Sequence, residues 1–132
     1  MDKKLKKLPV YKKANEIRKI VEAIVKFIDP KKDEAEFRYM LWEDACIMGA
    51  KIAGAEGGDL YFIRMENAVL IKVAARNLLV NTNYLRSENL CPEEYIQLLR
   101  NEIDEFRLLF IDWVNTFDRL NGRDDEWGDL FA

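Results

Sequence analysis

The chain has 132 residues, 49% apolar and 34% charged, which fits one folded domain and excludes both a disordered chain and two full domains. Its formal net charge is −3 and its isoelectric point about 5.1, so it is not a uniformly basic nucleic-acid binder. It holds no histidine, which removes Ser–His and Cys–His nucleophile pairs, HExxH zinc sites and the Glu-x-x-His ligands of di-iron bundles.

Residues 1–8 open the chain as a basic arm. Lys3, Lys4, Lys6, Lys7, Lys12 and Lys13 stand against Asp2 alone, a net +5 over the first thirteen residues. No apolar stretch follows them as a signal peptide requires, and no apolar run reaches the length of a membrane span. The expectation is a cytoplasmic protein without a membrane segment. Such lysines are candidate phosphate contacts, weighed against a plain solvated arm.

Pro9 suits the first turn of helix one, expected over 9–28, where Ala14, Ile17, Val21, Ile24 and Ile28 recur at helical spacing. Asp29, placed before Pro30, is pushed out of the helical region and closes it. Helix two is expected over 34–56, with Asp33 and Glu36 as a capping box and Gly57-Gly58 as a left-handed stop. Asp59 is the expected cap of helix three, 60–86. Helix four, 92–121, gives the clearest pattern: Ile96, Leu99, Ile103, Phe106, Phe110, Trp113, Phe117 and Leu120 alternate steps of 3 and 4. Each such side chain contributes about 1.5–3 kcal/mol when buried. Ordering each residue costs about 1–2 kcal/mol, so the helix must pack on neighbours to persist. Short connections favour antiparallel neighbours. The fold class predicted is therefore all-α, an antiparallel up-down-up-down four-helix bundle over 9–121.

Helix three carries eight apolar residues among the eleven from Leu70 to Val80, with Lys72 and Arg76 one turn apart in a narrow polar stripe that, with the lysine arm, supplies the candidate nucleic-acid contacts of an accessory factor. That is more apolar surface than one side of a small bundle needs, and it suggests burial on a second side against another subunit, the alternative being that helix three is simply the most central element. Beyond Gly122 the acidic tail 122–132 carries Trp127, Leu130 and Phe131, candidate docking residues for the chain's own bundle, a neighbour or a partner.

The glycine-rich stretch "GAKIAGAEGGD" has the gap of a phosphate loop at Gly49 and Gly54. Ala55 and Glu56 stand where Lys and Ser/Thr are required, so close helix approach explains it better. Cys46 and Cys91 lack metal-like spacing and read as reduced thiols. Glu93 and Glu94 disfavour a thiolate at Cys91, and Cys46 reads as a core residue. Acidic pairs such as Glu43-Asp44 diverge on a helix and read as solvated faces. Asn77 and Asn81 share a helix face and read as register-fixing polar contacts. Catalytic, metal and cofactor residues are each expected to be absent, and no small-molecule substrate is indicated.

The opening "LPVYKKANEI" resembles the start of helix one in the four-helix-bundle proteins encoded in bacterial 23S ribosomal RNA intervening sequences, through Leu8, Val10, Tyr11, Lys13 and Ala14. "AKIAGAEGG" is similar to that family's Asn-Ile-Ala-Glu-Gly segment: Ile52 and Ala53 match, Lys51 replaces the Asn, and Glu56-Gly57 arrives two residues late. "ENLCPEEYIQLLRNEIDEFRLLFIDW" resembles the turn into helix four of the accessory variability determinant of diversity-generating retroelements, with Tyr95 and Trp113 in place. The resemblance implies an all-α bundle assembled as a barrel-shaped homopentamer, and for the intervening-sequence branch it implies no established activity. For the accessory branch it implies nucleic acid and a reverse transcriptase as partners, contacted through a strongly basic surface, from which this chain departs with its isoelectric point of about 5.1.

Overall fold

The structure, a computed structural model, describes residues 3–33, 36–122, 126–128 and 130–131. The described residues form five α-helices and one 3₁₀ turn, with no strand among them: α1 (Lys3–Lys7), α2 (Pro9–Phe27), the turn Pro30–Lys32, α3 (Phe37–Glu56), α4 (Tyr61–Ser87) and α5 (Glu93–Val114). The fold is all-helical, as the spacing predicts. α2 packs on α3 and α5, α4 packs on α3 and α5, and α1 lies against α2. The core they enclose draws on every long helix, with Ile17 and Ile24, Leu41 and Met48, Ile71 and Leu78, and Leu99 and Phe106 all closed to solvent. No helix among the described residues is long and apolar enough to cross a membrane.

Element ends depart from expectation in instructive ways. α2 stops at Phe27, because Ile28 turns extended and stays buried while its N–H bonds Val25 O. The expected start of helix two at 34 falls on Glu34 and Ala35, outside the described residues. The capping box does not form, since Glu36 takes a left-handed φ of 52° and makes no cap bond. Asp33 caps alone, from further back: its carboxylate accepts from the N–H groups of Phe37 at 2.7 Å and Arg38 at 3.1 Å. The stop after α3 is not left-handed either. Gly57 has φ −72° and its N–H bonds the carbonyls of Ala53 and Gly54.

Asp59 does not cap α4 with its side chain. Leu60 occupies the cap position, and the chain following α5 supplies the missing acceptor: Asn121 O accepts from Tyr61 N at 2.8 Å while Asn121 Nδ2 donates to Asp59 O at 2.9 Å. That clip requires the chain to turn, so α5 ends at Val114 rather than near 121. Thr116 Oγ1 donates to Trp113 O at 2.6 Å and the following N–H groups make tighter i→i−3 bonds, which break the helical register. Phe117 is still buried, by way of the turn, whereas Leu120 is 80% exposed and drops out of the seam.

Candidate interaction surfaces

The basic arm is a short helix pinned to the bundle. Leu5 is buried beneath α1, and Lys3, Lys4, Lys6 and Lys7 stand exposed around it, followed by exposed Lys12 on α2. Lys13 is different. Its Nζ donates to Glu102 at 2.6 Å and to Glu105 at 2.7 Å, both on α5, and pairs with Glu16 at 2.9 Å. Burial works to lower its pKa, but hydrogen bonds to the three carboxylates outweigh that and raise it. The hydrogen bond from Lys13 in turn holds the Glu16 carboxyl below its ordinary range. Of the six lysines, Lys13 therefore has its charge neutralised inside the bundle.

A polar clasp that sequence reasoning missed joins three helix ends. Glu56, at the end of α3, accepts from Arg64 Nη2 of α4 and from Trp113 Nε1 of α5 at 3.0 Å. The Arg64 guanidinium lies 4.0 Å above the Phe117 ring, which itself meets Trp113 edge-on at 4.9 Å. Arg64 Nε is buried with no hydrogen-bond partner among the described residues; the aromatic face is what the site offers instead. A cavity of about 490 Å³ opens beside the clasp, lined by Lys4, Asp112 and Thr116 as well. Glu56 bonds both Arg64 and Trp113, so the arrangement ties three helix ends together. In the sequence Glu56 reads as part of a glycine stretch, and nothing links it to Trp113, 57 residues on.

Lys72 and Arg76 line a second cavity, of about 410 Å³, between α4 and α5. Sequence reasoning names these two and misses Arg107 of α5, which joins them. The floor is apolar, made by Ala75, Leu79, Ile103, Phe106, Phe110 and Ile111. Among the described residues none of the three cations has an ion-pair partner, in contrast to Lys13, Arg64 and Arg86.

α4 also presents apolar residues outward. Val69, Leu70, Val80 and Tyr84 are between 44% and 57% exposed, and Leu70, Val73, Asn77, Val80 and Tyr84 follow one another at steps of 3 and 4. Burial pushes the Asp44 carboxyl of α3 above its ordinary value, with the nearby Asn77 side chain of α4 working against that. No protein-family model, curated protein or solved structure matches the chain. Any likeness to the intervening-sequence bundles rests on the residues quoted for it.

In the tail, Trp127 and Leu130 are 86% and 81% exposed, while Phe131 is half-buried against the core. Arg123, Asp124, Asp125 and Asp129 lie outside the described residues. Burial pushes both thiols up, at Cys91 with the Glu93 charge adding to it, and Cys46 is only half-buried rather than a closed core residue. Among the described residues no group of three or more metal-ligating side chains comes together.

Proposed function

We propose that the protein is a non-enzymatic binding or scaffolding protein: an antiparallel up-down-up-down bundle that self-associates through the outer face of α4. The observation that carries this reading is the row of apolar residues on that helix away from the core, exposed Leu70, Val80 and Tyr84 with half-buried Val73, interrupted only by Asn77. A solvated helix of a monomer has no physical use for such a row, since exposed apolar surface gathered on one face is the mark of an interface. The resemblance to the 23S rRNA intervening-sequence family supports the same reading and implies five copies in a ring. Light scattering at micromolar concentration tests it: the expected mass is several times 15.5 kDa, and Leu70→Glu with Val80→Glu reduces it to that of one chain without loss of helicity. A wild-type chain that scatters as a monomer overturns the proposal.

A second reading, a nucleic-acid-binding accessory factor with RNA or a reverse transcriptase as partner, draws support from α1, which gathers four exposed lysines in five residues. RNA binding that is absent at low salt, or is unchanged when Lys3, Lys4, Lys6 and Lys7 are all replaced by Glu, rejects it.

A further inference from the structure

The cavity between α4 and α5 and the C-terminal segment are complementary in charge and in apolar content. On one side stand Lys72, Arg76 and Arg107, three cations without ion-pair partners among the described residues, around an apolar floor that includes Phe106 and Phe110. On the other side the sequence after Gly122 reads RDDEWGDLFA, four acids against one arginine with two aromatics and a leucine. Trp127 and Leu130 are, with Leu120, the most exposed large apolar side chains among the described residues. Phe131 lies against the core of its own chain, whereas Trp127 and Leu130 are exposed.

We propose that the basic cavity between α4 and α5 receives Trp127 and Leu130 of a second copy of the chain. Charge selects the occupant: three cations would repel a basic segment, and an acidic one meets them while its apolar side chains fill the floor. The volume, about 410 Å³, is that of a pocket filled by a few large side chains rather than by a whole helix. Buried aromatic anchors in a pocket rimmed by charge are the usual source of binding strength at an interface. The contact is head-to-tail, because the two surfaces differ. It therefore propagates around a ring rather than closing at a pair of copies. This inference rests on the self-association proposed above and adds to the α4 face a second, directional joint.

The test uses two full-length variants, Arg76→Glu with Arg107→Glu, and Trp127→Ala with Leu130→Ala, in sedimentation velocity beside the wild-type chain. Each alone is expected to dissociate at a concentration at least about tenfold higher than wild type. An equimolar mixture is expected to recover a two-copy species, in which the intact cavity of one variant holds the intact segment of the other. If the reversal disturbs folding by circular dichroism, Arg76→Gln with Arg107→Gln replaces it. A monomeric wild type overturns both the self-association and this joint. An oligomeric wild type whose variants dissociate no more readily overturns the joint alone. Variants that dissociate yet do not recover on mixing place the contact within one chain and overturn it as well.

Discussion

Lys13 joins α2 to α5 through Glu102 and Glu105 and to its own helix through Glu16, and its energetic role has a pH signature. A carboxyl held low in the folded state, as at Glu16, contributes stability above its unfolded pKa and loses it as pH falls through the folded value. An amine raised in the folded state contributes below its ordinary pKa of 10.5 and loses that as pH climbs through the folded value. The cluster is thus fully effective from about pH 5 to about pH 10. Lys13→Met is expected to cost about 1.5–3 kcal/mol in urea unfolding at pH 7, because two carboxylates of α5 are left facing a third without a cation. The cost should shrink as pH falls through the lowered pKa of Glu16; a cost that stays the same in acid would assign the loss to packing instead. Two glycines give a sharper contrast. Gly122 has φ +70° and a Cβ there would lie 2.6 Å from Leu60 Cδ2, so Gly122→Ala is expected to destabilise by about 1 kcal/mol or more. Gly58 is outside the left-handed region with open space around it, so Gly58→Ala should be neutral or stabilise by about 0.4–1 kcal/mol. Thermal unfolding of the two variants checks the pair, and a tolerant Gly58 departs from the left-handed stop that the sequence suggests at Gly57-Gly58.

At the scale of the element, α5 shows what periodicity can and cannot locate. Phe106 is closed to solvent and belongs to the seam as its spacing implies, whereas Leu120 keeps the same spacing and stands in water. Phe106→Ala should cost about 3–5 kcal/mol and Leu120→Ala less than about 0.5, measured by denaturant unfolding. The spacing of apolar residues is a local property, so helix existence and the buried face were legible in the chain. Termini were not, because distant groups settle them. Asn121 caps α4 from sixty residues away, Asp33 reaches past Glu36 to cap α3, and Thr116 bends the chain out of α5 so that the Asn121 clip can form. The clasp of Glu56, Arg64 and Trp113 escaped notice for the same reason, since its members come from three helices. Lys72 and Arg76 were found because they lie one turn apart on one helix. Arg107, their companion in the cavity, lies across the helix–helix boundary and carries no local signal.

Across the whole molecule the densest gathering of one charge is the N-terminal arm, net +5 over thirteen residues of a chain whose net charge is −3, and this bounds what any nucleic-acid reading can claim. Five lysines, Lys3, Lys4, Lys6, Lys7 and Lys12, are exposed at one end, while Lys13 is already occupied by carboxylates. Each phosphate contact to a single strand contributes about −0.7 to the slope of log affinity against log salt. If the arm binds RNA with all five lysines, the slope should reach about −3.5 and go no steeper. Lys13→Met should leave both slope and affinity unchanged, although it weakens the fold. Lys6→Glu should do the opposite, lowering affinity and flattening the slope by about one contact while stability stays within about 0.5 kcal/mol. Filter binding across a salt series, with urea unfolding of the same variants, separates the two residues. A slope that flattens with Lys13→Met would mean that RNA displaces the α5 carboxylates from that lysine, and the ion cluster would then be part of the binding surface rather than of the fold.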